Sequence, residues 1–236
     1  MKKAKIENTA VIIANYNHGK YIKKLVSDIN QFFPFPHIYI VDDCSTDNSL
    51  RIIESLISKK INILKHKRNF GKGATIKTGF YQTIEDGFDF AITIDADLQH
   101  QPKYLTQFMK KQNNRNSQLV IGARDICFKK MPFMRVLSNK ITSSIVSIVT
   151  QRKILDSQSG YRLYDLSSFN LNKLVSNRYQ FETEIILEIV KNSGRINFVD
   201  IETIYSGEIS HISHLRDIKY FIEVIVKNFV NNWRKK

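Results

Sequence analysis

The residues with the clearest chemistry lie in FDFAITIDADLQHQP, residues 88–102, where an apolar run passes directly into two carboxylates one residue apart. Residues 90–94 are short, β-branched and preceded by Gly87, which reads as a buried strand rather than a helix. Asp95 and Asp97 then leave its carboxyl end, the edge at which open α/β sheets bind ligands. Two hard oxygen donors there suit Mg2+ or Mn2+ holding a phosphorylated ligand, with Gln99 supplying a further oxygen or orienting a water. Taken alone, an Asp-x-Asp after a strand reads equally as a solvated turn.

A second acidic group, Asp42 and Asp43 followed by Ser45, Thr46 and Asp47, ends an earlier apolar run at the same sheet edge. A carboxylate at Asp42 can accept a hydrogen bond from a base imide, with Asp43 in support. Asp47 and Ser49 read better as a turn with a helix cap. The first apolar run also ends polar, so Asn15, Tyr16 and Asn17 could wall the same pocket, Tyr16 packing against a base. In KRNFGKGATIKTGF, Arg68, Asn69, Gly71, Lys72 and Gly73 precede a helix whose N-terminal amides could face anions. The segment lacks the spacing of a P-loop.

The elements that must position these groups follow a simple rhythm. Strand-like runs at 9–14, 37–41, 61–64, 88–94 and 118–121 alternate with helical patterns, the signature of a mostly parallel, Rossmann-like sheet flanked by helices. Tyr21, Leu25 and Ile29 share one helical face; Leu50, Ile53 and Ile57 share another. Beyond Gly122 the alternation breaks. There Phe133, Leu137, Ile141, Ile145 and Ile148 fall at helical spacing among Lys129, Lys130, Arg135 and Lys140, which fits core packing or a helix lying partly on a membrane. A terminal amphipathic pattern places Leu215, Ile218, Ile222, Ile225 and Phe229 on one face before Trp233 and three bases, a candidate peripheral membrane contact. One domain is expected over 1–236, in two halves, a nucleotide-binding one to about 122 and a second over about 123–212, followed by a C-terminal amphipathic helix over about 213–236.

Bulk composition agrees with a globular protein that meets anions. The chain has 236 residues, 42% hydrophobic, enough for one α/β core. Its formal charge of +14 points to phosphate groups or an anionic membrane surface. No nucleic-acid-binding motif is recognisable, so nucleic acid is not an expected partner. Cys44 and Cys127 lack metal or redox spacing and read as free thiols. No run reaches a bilayer-spanning length and the N-terminus has no signal-peptide core, so the expectation is a cytoplasmic protein, peripheral on the inner face of the cell membrane.

Eight ordered blocks, IIANYN, VDDCSTDNS, RNFGKGATIKTG, DADLQHQP, IGARD, DSQSGYRLYD, FETEIILEIVKNSGRINFVDIETIY and SHISHLRD, together resemble family 2 glycosyltransferases of the GT-A fold, in particular the dolichyl-phosphate-mannose-synthase-like branch that uses polyprenyl phosphates. The sequence departs from the pattern at Ala14, where many relatives have proline, and at Cys44, where glycine or alanine is usual. The resemblance implies a UDP- or GDP-hexose donor, with Asp42 at the base, Asp95 and Asp97 at the sugar nucleotide and its metal, Gln99 in the metal shell and Arg124 near phosphates. It also implies a C-terminal histidine completing the pyrophosphate site, for which His211 is chosen over His214.

Two mechanistic branches follow from that resemblance. A polyprenyl phosphate acceptor such as undecaprenyl phosphate is already ionised, and Arg124, Arg135 and Arg162 would hold it. A hydroxyl of a glycan or lipid-linked saccharide needs a base, for which Asp156, Glu182 and Glu184 are candidates. Glu182 and Glu184, two residues apart on a helix, would point in different directions, so one of them faces the site. A catalytically silent nucleotide-sugar-binding subunit is the non-enzyme alternative.

Overall fold

The computed structural model describes residues 2–125, 133–204 and 219–226, with only the backbone described at 133–135. Seven strands among them form one sheet: β1 (Thr9–Asn15), β2 (Ile38–Asp42), β3 (Asn62–Lys65), β4 (Phe90–Asp95), β5 (Leu119–Arg124), β6 (Arg162–Asp165) and β7 (Ile196–Ile201). The helices are α1 (Gly19–Asn30), α2 (Ser49–Glu54), α3 (Lys72–Glu85), α4 (Leu105–Arg115), α5 (Phe133–Thr150) and α6 (Phe181–Lys191). The strand order is β3-β2-β1-β4-β6-β5-β7. All pairings are parallel except those of β6, which runs antiparallel between β4 and β5.

The central strands are apolar on both faces because helices cover both. Alternation then sorts neighbours: Val11 and Ile13 pack with Ile22, Leu25 and Phe108 from α1 and α4, whereas Ala10 and Ile12 pack with Phe80, Phe181 and Ile185 from α3 and α6. Register brings the carboxyl ends of β1, β2 and β4 together, with Asn15 opposite Asp42 and Ala14 opposite Asp95. This is the point where strand order reverses, between β1 and β4.

The five runs read as strands match β1 to β5. β6 and β7 were not anticipated, since RLYD is a four-residue strand with a charge at each end. Along α1 the buried face is Ile22, Leu25, Val26 and Ile29. Ile57 is 60% exposed, not on a shared buried face, because α2 ends at Glu54 and Leu56 turns inward instead.

On α5 the core-packing reading of the apolar stripe does not hold. Its buried residues are Val136, Asn139, Ser143, Val146 and Thr150, whereas Leu137, Ile141 and Ile148 are exposed, the last at 77%. The helix turns its more polar face inward. Of the expected C-terminal helix, residues 219–226 are helical; Phe221 and Ile225 pack on the core and Ile222 and Val226 stay exposed. The rest of that pattern lies outside the described residues, as do Cys127 and His211. Among the described residues no helix is long and apolar enough to cross a membrane.

Candidate active site

Asp95 ends β4 and Asp97 follows in a tight turn, where the Gln99 N–H donates to Asp97 Oδ1 at 3.0 Å and Leu98 adopts φ 58°. Left-handed backbone at a leucine is strained. The Lys72 ammonium, at the start of α3, lies 2.8 Å from Asp95 Oδ1 and 2.8 Å from Glu182 Oε1. These three side chains form a compact, mostly buried ion cluster. Burial alone would push Lys72 down and Asp95 up, but attraction to Asp95 and Glu182 holds Lys72 raised, and attraction to Lys72 holds Asp95 lowered.

Asp97 behaves oppositely. Burial first, then the neighbouring Asp95 charge, push its carboxyl up to about 6. The pair is thus an anionic site with too little positive charge beside it. A divalent cation fits that deficit with Asp95, Asp97 and Gln99 as its oxygen donors, since Mg2+ and Mn2+ sites on phosphorylated ligands commonly use one or two carboxylates and take the remaining oxygens from phosphate and water. No cluster of three or more His, Cys, Asp or Glu occurs among the described residues, so the protein offers two carboxylates and the ligand would supply the rest.

Gly160 makes room for the cluster. A Cβ there would meet Lys72 Nζ, come within 2.7 Å of Asp95 Oδ2 and reach 3.0 Å from Glu182 Oε1. Gly160→Ala is expected to cost about 1–3 kcal/mol of stability, read as a lower denaturant midpoint at unchanged m-value. A wild-type midpoint would mean that the cluster tolerates displacement.

At the carboxyl ends of β1 and β2, Asp42 is fully buried. Its Oδ1 accepts from Asn15 Nδ2 at 2.7 Å and from the Ser45 hydroxyl at 2.6 Å, and its Oδ2 accepts from the Ser45 N–H at 3.0 Å. Asn17 Oδ1 accepts the Thr46 N–H at 2.7 Å, which ties the first polar loop to the second. Tyr16 is half-buried beside them. Asp43 serves the protein: it accepts His66 Nδ1 at 2.6 Å and the N–H groups of Phe70 and Gly71 at 2.9 and 2.8 Å. Gly71 takes φ 98°, and the Ala74 N–H donates to Asn177 O. Several donors at the start of α3 are therefore spent internally, and Lys72 Nζ pairs with Asp95 and Glu182. Asp47 Oδ1 accepts the Ser49 N–H at 2.9 Å, as expected of a capping residue, although Asn48 occupies the cap position. Cys44, the departure from the usual glycine or alanine, sits at φ 60°.

Around β5, β6 and α6 the structure rearranges several expectations. Arg124, at the end of β5, grips Asp156 through Nε at 2.6 Å and Nη2 at 3.0 Å, and Asn139 of α5 donates to the same carboxylate at 2.7 Å. Burial opposes ionisation of Asp156, but Arg124 outweighs it and holds the carboxyl below its usual range. As a base, Asp156 is therefore corrected: its lone pairs are occupied. Arg162 is corrected as a phosphate ligand. It is fully buried, and its Nε, Nη1 and Nη2 donate to the carbonyls of Ser159, Glu182 and Ser157 at 2.6, 2.7 and 2.8 Å. On α6, Glu182 meets Lys72, while Glu184 turns to the N–H groups of Val175 and Ser176 at 3.0 and 2.9 Å. The Arg135 side chain lies outside the described residues.

Sequence reasoning passed over His100, which directly follows Gln99. It is buried and stacked near Tyr161, and burial, then Arg124, push its imidazole down to about 4. Its Nδ1 makes no hydrogen bond among the described residues. Asn139 and Ser143, which support Asp156 and Ser157 from inside α5, were also missed, because nothing in a Ser- and Thr-bearing helix marks its polar face as the inner one.

Fold and site together define an α/β protein of the GT-A type, with an acidic cluster around Lys72 at the carboxyl edge of its parallel strands. The family model described as Glycosyl transferase family 2 matches residues 10–171, and the chain belongs to that family. It is 32% identical over 215 residues to the UDP-N-acetylglucosamine–dolichyl-phosphate N-acetylglucosaminyltransferase of Methanococcus voltae, covering 83% of this chain and 85% of that protein. It is 24% identical to polyprenol monophosphomannose synthase of Mycolicibacterium smegmatis, covering 83% of this chain and 77% of the relative. Among solved structures, glucosyl-3-phosphoglycerate synthase from Mycobacterium tuberculosis superposes with a TM-score of 0.67 at 12% identity, covering 95% of this chain and 79% of the other. TarS from S. aureus gives 0.65 at 19%, covering 95% and 67%. These structural likenesses establish the fold.

Proposed function

We propose that this chain is a metal-dependent, inverting glycosyltransferase that moves a hexosyl or N-acetylhexosaminyl unit from a UDP- or GDP-sugar to a polyprenyl phosphate, such as undecaprenyl phosphate, at an anionic membrane surface on the cytoplasmic side. Relatives named for transfer to dolichyl phosphate and undecaprenyl phosphate support the acceptor class. The observation that carries the reading is the state of the three candidate bases. Arg124 holds Asp156, two backbone N–H groups hold Glu184, and Lys72 pairs with Glu182. A phosphate monoester is already ionised and attacks without a base, whereas a hydroxyl requires one.

In this reading Asp95, Asp97 and Gln99 hold Mg2+ or Mn2+ against the donor diphosphate, and that ion would offset charge growing on the leaving group. Lys72 contributes a fixed positive charge at the same point. Asn15, Tyr16 and Asn17 wall the base, and Asp42, fully buried and bonded to Asn15 and Ser45, is assigned to the base by family resemblance. Asp43 supports that wall from behind. Arg124 lies toward the acceptor phosphate, with Arg135 assigned there, and His211 to the pyrophosphate, by family resemblance.

The test is transfer from labelled nucleotide sugars, with Mn2+ or Mg2+, to undecaprenyl phosphate in detergent. A chloroform-soluble, mild-acid-labile product is expected. Metal-dependent donor hydrolysis without a lipid product would move the acceptor to a hydroxyl, and no turnover of any donor would favour a binding subunit. Glu182→Gln separates the two enzymatic readings: transfer should fall less than about tenfold for a phosphate acceptor, and about 10²–10⁴-fold if Glu182 is a general base.

A further inference from the structure

We propose that Glu182 is a positioning residue of sugar transfer: it receives the Lys72 ammonium when Asp95 turns to the divalent cation, so that Lys72 yields Asp95 without being left alone in a buried site. The inference rests on the reading of Asp95, Asp97 and Gln99 as the cation site, and it gives Glu182 a task other than that of a base. Lys72 stands in the way of the cation. Its ammonium lies 2.8 Å from Asp95 Oδ1 and donates to Asp95 Oδ2 at 3.0 Å, so one side chain covers both oxygens of that carboxylate. A carboxylate holds Mg2+ directly, at about 2.0–2.1 Å, and an ammonium bonded to the same two oxygens repels the ion strongly where water is scarce.

Glu182 is placed to take that ammonium. It is buried in the first turn of α6, and its backbone carbonyl accepts Arg162 Nη1 at 2.7 Å, which fixes where the side chain starts. Its Oε1 is 2.8 Å from Lys72 Nζ yet accepts no hydrogen bond among the described residues; Lys72 aims its hydrogen bond at Asp95 instead. A buried carboxylate oxygen without a donor is costly, and here the donor is a small rotation of the lysine stem away.

The surroundings leave room for that rotation. A Cβ on Gly160 would meet Lys72 Nζ and fall 2.7 Å from Asp95 Oδ2 and 3.0 Å from Glu182 Oε1, so the bare Cα of Gly160 faces the gap between the two carboxylates. The Tyr179 ring centroid, one turn before Glu182, is 5.9 Å from Lys72 Nζ, an aromatic face that suits a cation. With the ammonium on Glu182 and the divalent ion on Asp95, each buried carboxylate keeps a positive partner. Lys72 thereby weakens binding of the ion, and Glu182 limits how much.

The experiment titrates the full chain with Mn2+ alone, following free Mn2+ by electron paramagnetic resonance. Lys72→Met should tighten Mn2+ binding at least about tenfold. Glu182→Gln should weaken it about five- to tenfold, because Lys72 then has Asp95 as its one carboxylate partner. Added to Lys72→Met, Glu182→Gln should change the affinity less than about twofold, since the group it acts through is gone. Loss of Lys72 alone strands two buried carboxylates and can prevent folding. The charge-balanced double variant is therefore also compared with Glu182→Gln alone, and should bind Mn2+ at least about tenfold more tightly. In the transfer assay, the Mn2+ concentration giving half-maximal rate should rise for Glu182→Gln by the same factor as its Mn2+ dissociation constant, whereas loss of a general base would lower the maximal rate without moving that concentration. Equal weakening by Glu182→Gln in both backgrounds, or weaker Mn2+ binding on removal of Lys72, overturns the exchange and leaves the cation site standing. No Mn2+ binding by wild type or by either Lys72 variant overturns the cation site itself, and the exchange with it.

Discussion

Asp97→Asn is expected to reduce sugar transfer by at least about 10²–10³-fold while making the metal-free protein more stable at neutral pH. The loss follows from removing one of two carboxylates that would hold the cation. The gain follows from burial and the Asp95 charge, which push the Asp97 carboxyl up to about 6. An ionised Asp97 is therefore a cost at pH 7 to 8, and Asn removes it while still accepting the Gln99 N–H. After discounting for partial exposure, the gain is about 1–2 kcal/mol. The sign follows from proton binding: between about pH 4 and 6 the folded chain keeps a proton that the unfolded chain has lost. This group's contribution to stability therefore declines as pH rises through that window, and the advantage of Asn should vanish as pH falls from 6 to 4. Saturating Mn2+ should reverse the order, stabilising wild type and not the variant. Denaturation curves across pH, with and without Mn2+, measure all of this. A variant of unchanged stability that is still stabilised by Mn2+ would remove Asp97 from the metal site.

Arg162→Leu should cost about 3–5 kcal/mol, a large fraction of the 5–15 kcal/mol that typically holds a domain together. The guanidinium is wholly enclosed and satisfies three carbonyls, from Ser157, Ser159 and Glu182. Leucine would leave those oxygens buried without donors. Lysine should recover less than half of the loss, because a compact ammonium cannot reproduce the planar fork. The same fork joins the loop before β6 to the first turn of α6, so it also sets where Glu182 meets Lys72. A phosphate-binding arginine behaves differently: its loss would leave the denaturant midpoint unchanged and raise the KM for the acceptor. That pattern, measured on Arg162→Leu, would reinstate the role first expected of it.

The contrast between these residues marks how far the primary structure was readable. Asp95 and Asp97 were legible because a β-branched run must end somewhere, and carboxylates at its carboxyl end face the ligand edge of a parallel sheet. β1 to β5 were legible for the same reason, being apolar runs flanked by turns. β6 was not: Arg162–Asp165 has no apolar alternation, and it becomes a central strand because β4 and β5 leave an antiparallel slot that only the assembled sheet defines. The divergence of Glu182 and Glu184 was readable from helical geometry, but which one met Lys72 was not.

By itself, then, the sequence determined the class of fold, the family and the acidic edge where a nucleotide sugar would bind, since local periodicity and residue type act over short distances along the chain. Tertiary structure alone decided which charges are free to work. Arg162, Asp156 and Glu184 became structural because groups far away in sequence, or across a turn, satisfied them, and α5 turned its leucine and isoleucine outward because Asp156 and Ser157 offered its polar face better partners inside. Hydrogen-bond satisfaction in a buried site is a property of the assembled neighbours, and no spacing of residues along the chain specifies it.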